Sequence, residues 1–290
     1  MKGLFSSLAA LGLILSPGWA KADYDFATFD VPGAMQTFVY GINSSGQIVG
    51  TYRLSSGENH GFILDVDGSY TTIDVPGAPN SYAIGINDAG QIVGTYRNPG
   101  GHGFLLDVDG SFTAIDVPGA GQTFARGINN AGQIAGSYAV GGALHGFVQE
   151  ADGSFTTFDV PDATATDVDG INDRGQIVGS YDIWNGTSDC HISEGLECAF
   201  LRDVDGSYTY IYVPPGAAVN HASGINNAGQ IVGDYDYRHG FLRDVDASFT
   251  NIDVPGATYT GAFGINDFGQ IAGSYTEFGG AYHGFLATPR

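Results

Sequence analysis

Six side chains in this 290-residue chain combine types and positions that could bind or transform a small molecule. Arg126, Asp167, Asp169 and His221 sit in short apolar runs, at places where the corresponding letters elsewhere in the chain are mostly apolar. A long polar stretch from Asp182 to Glu197 adds Trp184 and His191, together with Cys190, and Cys198 follows it directly. Carboxylates beside an imidazole can move protons. The same groups beside an aromatic ring suit a sugar or another small polar ligand. These six residues form the candidate ligand site, weighed against drift at solvent-exposed positions. No nucleophile elbow and no Ser-His-Asp context accompanies them, so no catalytic residue is assigned.

Five further histidines, His60, His102, His145, His239 and His283, each open a His-Gly-Phe triplet. Asp74, Asp116, Asp159, Asp253 and Asp30 each precede Val-Pro, at the far end of the strand that should pair with that triplet. One unit lacks both letters, having Cys198 and Tyr212 instead. Joint loss is the mark of a hydrogen-bonded pair, since a buried partner left alone costs roughly 1–3 kcal/mol. The five pairs therefore read as structural clasps, and no metal is assigned to them. Asp65/Asp67, Asp107/Asp109 and Asp203/Asp205 resemble the opening of a calcium loop, but the later acidic ligand is missing. Asp-Gly at a hairpin tip is the simpler account, so no cofactor is expected, with calcium as the one candidate left unsupported. Asn43 and its equivalents read as turn formers that tolerate the left-handed region.

These residues ride on a repeat. Gly41-Ile42-Asn43-Ser44-Ser45-Gly46-Gln47-Ile48-Val49-Gly50-Thr51-Tyr52 recurs from Gly85, Gly127, Gly170, Gly224 and Gly264, at spacings of 44, 42, 43, 54 and 40 residues. A period near 40 residues with strand-like content marks a repeat architecture. In the second unit four short β-branched and aromatic runs, Tyr82–Ile86, Gln91–Tyr96, His102–Leu106 and Phe112–Val117, are separated by Asn-Asp-Ala-Gly, a polar loop and Asp-Gly. No window shows a sustained helical period, so almost no helix is expected. Six four-stranded units predict an all-β fold, a six-bladed β-propeller. Two tandem β-trefoils are the alternative. The first run, Phe26 to Val31, is a fourth strand without its first three, and the last unit stops after its third. The N-terminal strand should complete the final blade and so close the ring. In such blades the loops between second and third strands share a face with the links between blades. That face carries the length variation, and function belongs there.

Met1-Lys2, an apolar run from Leu4 to Leu15, and Ala20-Lys21-Ala22 read as a secretion signal over residues 1–22, leaving 23–290 as one propeller domain. Without Lys2 and Lys21 the chain holds 8 Arg against 31 Asp and Glu, a formal charge of −23. Such a field repels nucleic acid and anionic membrane surfaces. No membrane insertion is expected. The protein should be a secreted monomer, extracellular or periplasmic, and in an oxidising compartment Cys190 and Cys198 should form a disulfide.

The Gly-Ile-Asn-x-x-Gly-Gln-Ile-Val-Gly-x-Tyr block followed by His-Gly-Phe-Leu resembles the HAF repeat, a bacterial extracellular repeat named for its His-Ala-Phe triplet. The resemblance covers residues 24–290. The chain departs from it in having Gly for Ala, in Cys198-Ala199-Phe200, and in its Asp-Val-Pro-Gly punctuation. The resemblance implies export and a repeat-built β fold, and transfers no active site. The function expected first is a non-catalytic binding module for a carbohydrate, a small polar ligand or a cell-surface partner. The alternatives are a hydrolase or lyase acting on a glycan or lactone, with Asp167, Asp169 and His221 as acid–base groups, and a structural envelope component.

Overall fold

A computed structural model describes residues 24–183, 198–212 and 220–290. Its 24 strands form six four-stranded antiparallel sheets, with no helix among the described residues. The first blade runs β2 (Gln36–Ile42), β3 (Ile48–Arg53), β4 (Asn59–Leu64) and β5 (Tyr70–Ile73), in that order from the axis outward. Four more blades repeat it. In the sixth, β22 (Tyr259–Ile265), β23 (Ile271–Thr276) and β24 (Tyr282–Pro289) are joined by β1 (Tyr24–Phe29), which pairs with β24 from Tyr24↔Pro289 to Phe29↔Gly284. The fold is the expected six-bladed β-propeller, closed by its N-terminal strand.

The outer strand ends two residues earlier than the sequence suggests, at Phe29 in the sixth blade as in the second. In the second blade it ends at Ile115, two residues before Val117. The Val117 N–H leaves the ladder and donates to Thr123 Oγ1 at 3.0 Å, and the same bond recurs from Val31 to Thr37 and from Val254 to Thr260. Among the described residues, five of the links between blades are thus tied to the next blade's inner strand by a buried hydroxyl.

Two glycines per repeat explain how the strands approach the axis. A Cβ on Gly50 would lie 2.0 Å from the Phe38 carbonyl oxygen and 2.7 Å from the Phe62 ring, so the second strand must be bare there. A Cβ on Gly41 would lie 2.7 Å from Ile84 O of the neighbouring blade. Just before that glycine the inner strand carries a bulge, as between Val39 and Gly41, and the bulged residue turns toward the axis. The cores lie between blades: Phe62 and Val39 of the first blade cluster with Ala272 of the sixth. One fully buried Phe per blade, from Phe62 to Phe285, contributes about 1.5–3 kcal/mol each.

The Asn of each Gly-Ile-Asn block does more than form a turn, and it is not left-handed: positive φ falls on the glycine three residues later, as at Gly46 (φ 87°). Asn43, Asn87, Asn129, Asn172, Asn226 and Asn266 are 3–4% exposed. Each donates through Nδ2 to the backbone oxygen of its counterpart in the next blade at 3.1–3.2 Å, and Asn266 donates back to Asn43. The same Nδ2 reaches the Gln side chain four residues on, and Oδ1 accepts that Gln's N–H, as in Asn87 with Gln91. The result is a closed hydrogen-bonded girdle around one end of the channel.

Candidate functional site

At the other end the six bulged positions hold Tyr40, Ile84, Arg126, Asp169, Ser223 and Phe263, lining a cavity of about 470 Å³. Going round the ring, three consecutive blades present Arg, Asp and Ser, and the other three present Phe, Tyr and Ile. Two residues earlier on the inner strands stand Phe38, Tyr82 and Phe124, then Asp167 and His221, then Gly261. The mouth therefore has an aromatic side and an ionic side.

On the ionic side Arg126, from β10 (Gln122–Ile128), reaches across to β14 (Ala165–Ile171). Its Nη1 lies 2.5 Å from Asp167 Oδ1 and 2.9 Å from Asp169 Oδ1. Ser137 Oγ donates to Asp167 Oδ1 at 2.6 Å and accepts the Val168 N–H at 2.8 Å. Burial pulls against the charge of all three groups, with different outcomes. The two carboxylates outweigh it at Arg126 and hold the guanidinium pKa up. At Asp167 burial is overcome by the charge and hydrogen bonds of Arg126 and by Ser137, so its pKa is lowered. Asp169 has weaker support and Asp167 as a like-charged neighbour, and burial pushes it up to about 6. Two carboxylates on one strand are thus driven apart in acidity, which separates a group ionised well into the acid range from one that titrates just below neutrality.

His221, on β18 (Asn220–Ile225), places Nδ1 3.3 Å from Oδ1 of Asp234 on the adjacent β19 (Ile231–Tyr235). Asp234 is 7% exposed and lines the same cavity. It is the site residue that sequence reasoning missed. Its equivalents are Thr51, Thr95, Ser137, Ser180 and Ser274, so a carboxylate in a column of small hydroxyls was the available signal. The structure brings Arg126, Asp167, Asp169 and His221 to one cavity. Trp184, His191 and Cys190 lie outside the described residues, so their place at the mouth and the disulfide with Cys198 stay expectations. Cys198 itself is buried opposite Tyr181.

The five His–Asp pairs are formed, from His60 Nδ1–Asp74 Oδ1 at 2.9 Å to His283 Nδ1–Asp30 Oδ2 at 2.8 Å, the last joining the two ends of the chain. They lie on the rim rather than in the interior: Asp30, Asp74, Asp116 and Asp159 are about half exposed. For these four the 1–3 kcal/mol penalty of a buried orphan does not apply, and exposed ion pairs contribute only about 0–1 kcal/mol. Each imidazole also packs on the Tyr of the preceding strand, as His102 does on Tyr96 with ring centroids 5.2 Å apart. At the hairpin tips the acidic oxygens are engaged locally: Asp67 accepts the Ser69 N–H at 2.9 Å, and its pKa falls through hydrogen bonds from that serine.

No family model matches the chain, and no curated protein matches it in sequence. Solved structures match it in shape. A gluconolactonase from Xanthomonas campestris superposes over 93% of this chain and 91% of its own, at 14% identity and a TM-score of 0.57. An inactive variant of virginiamycin B lyase from Staphylococcus aureus, solved with quinupristin, covers 91% and 99% at 11% identity, with a TM-score of 0.52. TolB from Acinetobacter baumannii covers 84% and 64% at 14% identity, with a TM-score of 0.57. At such identities the likeness is one of fold: the chain is a propeller of the shape these proteins share.

Proposed function

We propose that this protein is a secreted small-molecule-binding propeller whose ligand, a sugar or a similar hydroxylated ring, enters the ionic–aromatic mouth of the channel. The observation that carries this reading is the division of the six bulged positions into three contiguous polar and three contiguous apolar residues. A sugar ring has the matching character: C–H faces that pack on aromatic rings and a rim of hydroxyls that pair with carboxylates and guanidinium. Arg126 is already neutralised by Asp167 and Asp169, and Asp234 adds a further carboxylate. The mouth therefore favours neutral or cationic ligands over anions. Calorimetric titration with a panel of neutral sugars and lactones tests this. A saturable ligand should lose at least tenfold in affinity in both Asp169→Asn and Phe263→Ala. A panel without a binder, or binding untouched by either variant, would count against it and favour a structural role.

A second reading, a lyase or hydrolase of glycans or lactones, has its own support. Asp169 with its pKa near 6 is suited to deliver a proton, and His221, oriented by Asp234, to accept one. A lyase and a gluconolactonase share the fold. Turnover on the same panel that Asp169→Asn and His221→Ala abolish without abolishing binding would promote this reading over the first.

A further inference from the structure

The third strand of each blade begins beside the inner strand of the next, and its first residues decide what covers that neighbour. In the sixth blade Tyr282 does so: its ring packs on Phe38 of the first blade with centroids 4.8 Å apart and the planes tilted by 35°. In the first blade Asn59 occupies the position and bonds to Asn80 Oδ1 at 3.1 Å. The third and fifth blades have Leu144 and Arg238 there. The second has Gly101, at the start of β8 (Gly101–Leu106).

A Cβ built on Gly101 would point at Phe124, 3.4 Å from its ring and 3.5 Å from Gln122 Cβ. Phe124 is the counterpart of Phe38, yet no aromatic ring among the described residues packs on it; its one cationic neighbour is Arg126, with the guanidinium carbon 5.8 Å from the ring centroid. The space left by the missing side chain is a cleft of about 240 Å³ between the second and third blades, floored by Phe124 and walled by Tyr82 and Tyr96. Tyr40, Ile84 and Arg126 line both this cleft and the channel cavity, so the two adjoin across these three side chains.

We propose that this cleft is a ring subsite: a flat apolar ring carried by the ligand lies on Phe124 in the way that Tyr282 lies on Phe38. The inference rests on the reading of the channel mouth as a binding site and narrows its ligand to a hydroxylated molecule bearing an aromatic substituent, of the aryl glycoside class. The hydroxylated part faces Asp169 and His221, and the aryl part turns outward past Arg126. Joining the two parts makes the second contact intramolecular, so an aryl glycoside should bind more tightly than either part alone.

The test uses the full mature chain and three probes: 4-methylumbelliferone, a set of methyl glycosides, and the matching 4-methylumbelliferyl glycosides. Binding is followed by ligand fluorescence and calorimetry. The free ring should bind saturably to the wild type. Gly101→Tyr, which copies the arrangement of the sixth blade, should weaken it at least tenfold, as should Phe124→Leu. The aryl glycoside should bind at least tenfold more tightly than its methyl counterpart, and Gly101→Tyr should remove that advantage. Ring binding equal in wild type and Gly101→Tyr overturns the subsite, as does its absence or an aryl glycoside no tighter than the methyl one. Ring binding sensitive to Gly101→Tyr, with no methyl glycoside bound, upholds the subsite and overturns the channel reading alone. The melting temperatures of both variants, expected within about 2 °C of wild type for ordinary surface changes, separate lost binding from lost folding.

Discussion

The two ends of the channel use the same inner strands in opposite ways. At one end all six blades carry Asn, and each serves its neighbour: a neutral side chain, almost wholly buried, bonded to the next blade's backbone. At the other end no two bulged residues are alike, and two of the polar ones, Arg126 and Asp169, pair by charge across blades three and four. An identical letter in every blade marks an obligation to the next blade. Unlike letters on the same scaffold mark positions that ring closure leaves free for a ligand.

The sharpest way to probe the ionic end is Arg126→Ala. It strands Asp167 and Asp169 within one partly buried site, and should cost about 2–4 kcal/mol at pH 7, read by urea unfolding. A loss below about 1 kcal/mol would mean that the two carboxylates are well solvated without it. At the girdle, Asn87→Ala and Asn226→Ala each orphan a buried carbonyl and a Gln partner, and should cost about 2–3 kcal/mol. The two losses should agree within about 0.5 kcal/mol, since the blades are equivalent there. Unequal losses would break the claim of uniformity.

Asp169→Asn should go the other way. A carboxyl raised to about 6 binds its proton more tightly in the folded than in the unfolded chain, so stability falls as pH rises from about 4 to about 6 and stays lowered above. The amide keeps an acceptor for Arg126 without the charge. It should therefore stabilise the protein by about 1–3 kcal/mol at pH 7 and leave it unchanged at pH 4, where both forms are neutral. Thermal unfolding at the two pH values checks this, and destabilisation at pH 7 would contradict it.

The smallest effect belongs to the rim. Asp116 raises the pKa of His102 through their hydrogen bond. A raised imidazole pKa gives stability that is complete below the unfolded value near 6.5 and is lost as pH climbs through the folded value. Asp116→Asn should lower the melting temperature by about 1–3 °C at pH 5.5 and by less at pH 8.5, in line with a half-exposed pair.

Much of this contrast is written in the residues. Six Gly-Ile-Asn blocks and a stray leading strand predict the ring and its closure, because strand order follows from hairpin-length links. The unlike letters Arg126, Asp167, Asp169 and His221 stand out because every other unit supplies a reference. Asn43 reads from the sequence as a turn former because its essential contact is the carbonyl of a residue 44 positions away, Asn87, which no local pattern encodes. Asp234 escaped because Gly-Asp-Tyr differs by one letter from Gly-Ser-Tyr, and only the register places it opposite His221. The His–Asp pairs are legible as pairs, but spacing does not report exposure, and half-exposed pairs are worth less than the buried ones the sequence suggests. Gly101 matters for what it lacks, and a missing side chain acquires meaning only beside Phe124.

The most direct test of the account is calorimetric titration of the aryl and methyl glycoside panel into wild type, Asp169→Asn and a variant at the far end, Asp88→Asn. The account predicts a ligand whose affinity drops at least tenfold in Asp169→Asn and is the same in Asp88→Asn and wild type. Equal weakening by both variants, or no binding at all, would contradict it.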